Sequence, residues 1–394
     1  MRVLSKIFII LFLNSGIVLS SDEASVSNSQ MDFLKHYREA HYNLRLIDLE
    51  SQINDKLKLV QQPERSAMEA LVSYSKFVMN LERNIDEKHY KEFIENLNVA
   101  IESLEAFSSQ KPNNISSKLN LGLLYGLKGG VALGYKKDYF DAYRFGVKGV
   151  QLLDEVYKNN PQLVDLELSK GILKLMIAQS TWYVQWLAPL IVESGSISGG
   201  INHLDKVIKD GEYVSDEALL AYVLLLWGEV NKDYLSKSLS ALEKFTENYP
   251  DSIQIYIALA RGFWLAHEYE KSNFYALQGI IRIQRHKSAF IRKHGIITKS
   301  FLLYWHYRYL TEKKEWLKLL RQTEKKSELP IQSTFKAVAL RNMGQYKSSK
   351  ELAEETLINL EKTELKMPLF IVPFLFDLKP TLQSILEDKI LGGD

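Results

Sequence analysis

Residues 255–277 read IYIALARGFWLAHEYEKSNFYAL, and the fold is decided by how these 23 positions repeat elsewhere. Tyr256, Leu259, Ala260 and Phe263 share one helical face, and Tyr269, Ser272 and Ala276 share a second one beyond a break at His267 and Glu268. Apolar residues three and four apart make amphipathic helices, and small residues at the crossing let two such helices approach closely. Residues 337–357, AVALRNMGQYKSSKELAEETL, carry the same layout in Ala337, Gly344, Tyr346, Ser349 and Ala353. Upstream, residues 222–251 read YVLLLWGEVNKDYLSKSLSALEKFTENYPD, and Tyr222, Leu225 and Ser238 stand 34 residues before Tyr256, Leu259 and Ser272. A fixed period of this length marks stacked helical hairpins. Ser272 and Ser349 are 77 residues apart, which is not a multiple of 34, so a longer helix pair is expected between them.

Outward from these copies the three-to-four spacing continues through nearly the whole chain, and no alternating run bounded by turn residues reads as a strand. The expected class is all-α. Asn160 before Pro161 has the form of a helix start, as does Ser215 ahead of Asp216 and Glu217.

The 34-residue layout resembles the tetratricopeptide repeat (TPR). Between Leu119 and about Ile283 the order LNLGLLYGLKGG, YFDAYRFGVKGVQLLDEVYKNNPQLVDLELSKGI, WYVQWLAPLI, SGSISGGINHL and NYPD resembles a group of exported bacterial proteins built from such repeats. The resemblance covers under half of the chain. It implies an irregular TPR-like, right-handed helical solenoid that binds a protein or peptide partner in a groove and is not an enzyme. Some periplasmic proteins of this kind accompany solute transporters, so the rival expectation is a periplasmic small-ligand binding subunit. The expected organisation is a signal segment at 1–20, N-terminal helices at 21–111, and a TPR-like array at 112–283. Further helices follow at 284–366, with an apolar capping tail at 367–394.

The first residues, MRVLSKIFIILFLNSGIVLSSDEAS, place Arg2 and Lys6 ahead of an apolar run from Ile7 to Leu13, followed by small and polar residues. This is the three-part layout of a secretory signal, with Val18 and Ser20 at a small-x-small site and a mature start at Ser21. A periplasmic or secreted protein of a bacterial envelope follows. The chain has no cysteine, which excludes disulfides, thiolate metal sites and a thiol nucleophile. Its formal charge is +2, and Arg2 and Lys6 account for that excess. A neutral mature chain is not expected to bind nucleic acid, because affinity for a phosphate backbone grows with the number of phosphates neutralised.

Several clusters invite a chemical reading. Trp182, Tyr183 and Trp186 put two indoles on one helical turn, which makes them either core between helix layers or a ligand platform; they are the candidate binding residues. The neighbouring SGSISGG has Ile197 where a nucleophile elbow needs serine, and it reads as a flexible loop. Gly122, Gly126, Gly130 and Gly134 form a four-spaced stripe, for which Gly146 and Gly149 supply a facing small surface. None of the eight histidines has compact metal-ligand spacing, so neither a metal nor a cofactor is expected. The segment RIQRHKSAFIRKH, with Arg282, Arg285, Lys287, Arg292 and Lys293, reads as a solvated basic helix face. Its second reading is a basic patch for an acidic partner or for peripheral membrane association with anionic lipid. In the tail, Pro368, Pro373 and Pro380 are expected to prevent MPLFIVPFLFDLKP from forming one regular helix.

Overall fold

The computed structural model describes residues 33, 36–37, 39–40, 49–80, 87–136, 138–178, 195–211, 214–225, 232–294, 296–324, 330–366 and 373–387. Every regular element among them is helical. In chain order, α1 (Glu50–Leu57), α2 (Glu64–Asn80) and α3 (Glu87–Gln110) lead to α4 (Ile115–Val131). A π-helical turn at Ala132–Lys136 connects α4 to α5 (Tyr139–Asn159), and a 3-10 turn at Val164–Leu166 opens α6 (Glu167–Ala178). Then come α7 (Ile197–Asp210), α8 (Ser215–Leu225), α9 (Lys232–Asn248), α10 (Ile253–Leu265) and α11 (Tyr269–Arg285). The chain closes with α12 (Ala289–His294), α13 (Ile296–Glu312), α14 (Trp316–Thr323), α15 (Ile331–Asn342), α16 (Tyr346–Lys366) and α17 (Pro373–Leu386).

Local chemistry sets several of these boundaries. The Asn114, Asp138 and Ser196 side chains accept the backbone N–H of Ser117, Asp141 and Gly199, satisfying first-turn donors of α4, α5 and α7. Asn160 departs from the sequence expectation: it ends α5 instead of starting a helix. Its side-chain amide donates to the Val156 carbonyl at 3.0 Å and so satisfies an acceptor that the helix end would leave open.

Most helices pack on their successor and several on the one after. Thus α6 meets α7 and α8, α8 meets α9 and α10, and α13 meets α14 and α15. One apolar cluster joins residues from Phe33 to Val131 with Ile253, Tyr256, Ile280 and Leu302, so the early helices and the α10–α13 region share a core. A second cluster runs from Leu168 to Phe263 and a third from Tyr304 to Ile385.

One turn recurs three times with the same geometry. His267 (φ 59), Lys314 (φ 55) and Gly344 (φ 79) are left-handed residues ending α10, α13 and α15. The next residue's N–H, on Glu268, Glu315 and Gln345, bonds the carbonyl five positions earlier, on Phe263, Leu310 and Leu340, at 2.9 Å each time. This 6→1 bond closes a helix C-terminus, and glycine is the residue that adopts the left-handed conformation without strain. In two copies a buried serine also ties the hairpin together. Ser272 Oγ donates to the Ala260 carbonyl at 2.6 Å, and Ser349 Oγ to the Ala337 carbonyl at 2.7 Å. The pair between them, α13–α14, is not the longer one expected: it runs Ile296–Thr323, shorter than α10–α11 at Ile253–Arg285, and the interval is lengthened by the short helix α12. Tyr307 and Leu319 occupy the alanine and serine positions.

The tail departs from expectation in one respect. Pro373 begins α17, where a missing N–H costs nothing, but Pro380 lies inside the same helix. An internal proline costs about 3 kcal/mol. Leu378, Leu382 and Ile385 are fully buried against α15 and α16, and each burial returns about 1.5–3 kcal/mol, which outweighs that cost. Arg341 of α15 donates to the carbonyls of Ser384 and Ile385, at 3.3 and 2.8 Å, and neutralises the negative helix end. Leu369, Phe370, Ile371 and Val372 lie outside the described residues.

Candidate functional site

Trp182, Tyr183 and Trp186 lie outside the described residues, as do the signal segment and its cleavage site. The helices on either side of the tryptophan segment are α6 and α7, which cross through glycine. A Cβ on Gly200 would lie 2.9 Å from the Gly171 carbonyl oxygen and 2.5 Å from Leu175 Cγ. The SGSISGG segment is therefore not a loop throughout: Ser196 caps α7, and Ile197–Gly200 form its first turn. Glycine is needed at position 200 because no side chain fits.

Beside this crossing sits a polar node around Glu167, whose side chain is 4% exposed. Tyr157 Oη donates to one carboxylate oxygen, His203 Nδ1 bonds the other, and Lys206 Nζ donates to the first at 2.9 Å. Burial pushes the Glu167 carboxyl upward, but the bonds from His203, Tyr157 and Lys206 outweigh it and hold the group ionised, below the usual carboxylate range. The Glu167 bond raises the Tyr157 hydroxyl pKa. Lys170 stands 3.8 Å over the Tyr157 ring and 3.3 Å from Asp154. These bonds are spread over α5, α6 and α7, so the node fixes how the three helices sit against each other.

A second node repeats that chemistry nearer the surface. Tyr125 Oη and Lys148 Nζ donate to Glu105 Oε1, at 2.6 and 2.7 Å, and Lys148 stands 4.2 Å over the Tyr125 ring. Hydrogen bonds from Lys148 and Tyr125 lower the Glu105 pKa.

The basic segment is solvated at Arg285, Lys287 and Arg292, but it spans the turn between α11 and α12 and not one helix face. His286 is fully buried, with its Nδ1 accepting the Ser288 N–H at 3.0 Å. Arg292 donates to the backbone carbonyls of His286 and Lys287, while Arg282 and Lys287 approach Asp251 at 3.8 and 3.9 Å. Much of the positive charge serves the turn between α11 and α12.

A half-buried aromatic surface lies where α10 and α13 meet. Trp264 of α10 contacts Trp305 of α13, with ring centroids 5.8 Å apart, and Tyr269 at 4.6 Å. Arg308, one turn along α13 from Tyr304, stacks 4.9 Å from the Trp264 centroid and donates to Tyr304 Oη at 2.9 Å. Trp264, Trp305 and Arg308 are half-buried over a buried Tyr304. Sequence reasoning quoted Trp264 only as part of the repeat. Its partner stands 41 positions on, and nothing in a linear pattern joins the two.

No helix among the described residues is long and apolar enough to cross a membrane, and no three of their metal-ligating side chains cluster where an ion could be held. Comparison with known protein families, with curated proteins and with solved structures finds no match.

Proposed function

We propose that this chain is a non-catalytic helical-repeat scaffold, an irregular TPR-like right-handed solenoid, that holds a protein or peptide partner along the face made by the first helices of successive pairs. The observation that carries the reading is the threefold turn at His267, Lys314 and Gly344, which gives α10–α11, α13–α14 and α15–α16 one hairpin geometry. Hairpins that share a turn stack with their first helices side by side, which creates one continuous face. In this chain α10 touches α13, and α13 touches α15. Rings that are half-buried before any partner arrives, such as Trp264 and Trp305, supply contact area at low entropic cost.

A photo-activated amino acid at position 305, compared in living cells with one at exposed Glu354 on α16, tests the reading. Protein adducts from position 305 and none from 354 are expected. Adducts from neither position, or equally from both, overturn it. The N-terminal layout supports export to the bacterial envelope. Intact mass of the native protein should then correspond to a start at Ser21, and a retained Met1 sinks the export proposal.

A further inference from the structure

Arg308 differs from the five arginines that the fold pairs and, being half-buried, from the exposed Arg285 and Arg321. Arg65, Arg144 and Arg282 face carboxylates, and Arg292 and Arg341 donate to backbone carbonyls. Arg308 is half-buried, yet among the described residues it meets no carboxylate and no carbonyl. Acids at the turns that follow α10 and α13 pair with lysines: Glu268 with Lys271, Glu270 with Lys313 and Glu315 with Lys318. Glu312, one turn further along α13, forms no ion pair with it. Of its five donors, Tyr304 Oη accepts one.

A guanidinium held in this way is organised before any anion arrives. Stacking on Trp264 fixes its plane, and the bond to buried Tyr304 fixes its rotation, so little side-chain entropy remains to be lost on binding. Its planar fork matches a carboxylate with two parallel bonds. The walls are Trp264 and Trp305, whose indoles donate and do not accept, so the surface offers donors and ring faces. Such a surface selects a ligand with a carboxylate next to a bulky apolar group.

We infer that Arg308, Trp264 and Trp305 form a receptor for an aspartate or glutamate side chain within a peptide segment, flanked by an aromatic or branched aliphatic residue. The inference rests on the peptide-holding reading above and names what that face recognises.

Selection of a random dodecapeptide display library against the full chain tests it. Selected peptides should carry Asp or Glu beside a large apolar residue. Changing that acid to its amide, or Arg308→Gln in the protein, should each weaken binding about tenfold, the scale of one lost charge-assisted pair. Arg308→Lys keeps the charge without the fork and should lose most of the preference, and circular dichroism melts would confirm that both variants fold. Trp305→Leu should weaken acid and amide peptides alike. If peptides are selected without acidic enrichment, or acidic peptides bind Arg308→Gln as tightly as wild type, the receptor is refuted while the peptide-holding reading stands. If no peptide is selected, both fall. Displacement of the peptides by millimolar glucuronate would show a small sugar-acid site and overturn the receptor too.

Discussion

Between α4 and α5 the backbones themselves touch: a Cβ on Gly149 would lie 2.7 Å from the Gly122 carbonyl oxygen and 2.9 Å from the Gly126 nitrogen. Between α10 and α13 the meeting is made by rings, with Trp264 and Trp305 centroids 5.8 Å apart and Arg308 stacked beside them. The first crossing has no side chain to rearrange, so its geometry is fixed by covalent backbone and tolerates no added atom. The second consists of side chains with rotatable bonds and exposed faces, so it can receive a guest without moving the helices. Rigidity and receptivity thus sit in different parts of one chain. α5 carries the first crossing to the polar node through Tyr157, and α6, which holds Glu167, is itself fixed by a glycine crossing to α7.

Truncation after Lys366 should have the largest effect and should test this division directly. Removing Leu378, Leu382 and Ile385 uncovers α15 and α16, so the shortened chain should bind hydrophobic dyes and lose protection from hydrogen exchange there. Protection of α4 and α5 should persist. A shortened chain that is monomeric, dye-negative and equally stable would show that α17 is dispensable to the C-terminal pairs.

Gly149→Ala should follow, lowering stability by about 3 kcal/mol in urea denaturation, at the upper end for overpacking because the obstacles are backbone atoms. Gly146→Ala provides the contrast. A Cβ at 146 meets nothing within 4 Å, so the higher helix propensity of alanine should add about 0.5–1 kcal/mol. Equal effects from the two substitutions would break the account of the crossing.

Glu167→Gln should cost about 2 kcal/mol, since the node would keep Lys206 and His203 without the charge that faces them. The pH dependence has a definite sign. The folded pKa of Glu167 lies below the ordinary value of 4.5, so its contribution is complete above that value and is lost as pH falls toward the folded one. The substitution should flatten the acid limb of the stability curve, and an unchanged limb would remove Glu167 as its source.

The smallest expected effect concerns His306 of α13, which is 4% exposed, with its ring nitrogens 2.6 Å from Asn273 Oδ1 and 2.7 Å from Gln322 Oε1. Burial lowers its pKa, although the Gln322 bond acts in the opposite direction. The unfolded chain therefore binds the proton first as pH drops below about 6.5, and stability falls over that window. His306→Gln should remove this fall in stability between about pH 7 and 5, as read from denaturant midpoints. Retention of the slope would assign it to another group.

How far these regions could be read in advance follows from how each signal is encoded. The paired small residues Ala260 with Ser272 and Ala337 with Ser349 stand at fixed offsets, so the hairpins they tie were visible in the sequence. The α13–α14 pair was expected as a longer, irregular one, because Tyr307, Lys314 and Leu319 share the geometry of the motif and none of its residue types. The glycine stripe was visible too, but its spacing was drawn too regularly. A Cβ on Gly129 would meet the Ala142 carbonyl oxygen and the Gly146 nitrogen, each at 2.9 Å, while Gly134 falls in the π-helical turn beyond α4. At 3.6 residues per turn a contact face alternates steps of four and three, so Gly122, Gly126 and Gly129 share it. The Glu167 node and the Trp264–Trp305–Arg308 surface leave no linear pattern, since His203 stands 36 positions from Glu167 and Trp305 and Arg308 stand 41 and 44 from Trp264, and only helix packing brings them together. Asn160 misled because an amide side chain caps either end of a helix.

The turn at His267, Lys314 and Gly344 has a consequence for how such a chain changes length. The joints are 47 and then 30 residues apart, against the 34 of the upstream copies, while the bonds that close them are the same to 0.1 Å. The shorter interval differs from 34 by about one helical turn. The longer interval holds the extra short helix α12 and the shorter one the abbreviated α14, so length is added or removed between the joints and the joints are left alone, in the manner of a telescoping pole. Insertions of three or four residues within α13 or α16 should be absorbed as extra turns, whereas one added residue next to Lys314 would turn every later helix to a different compass bearing.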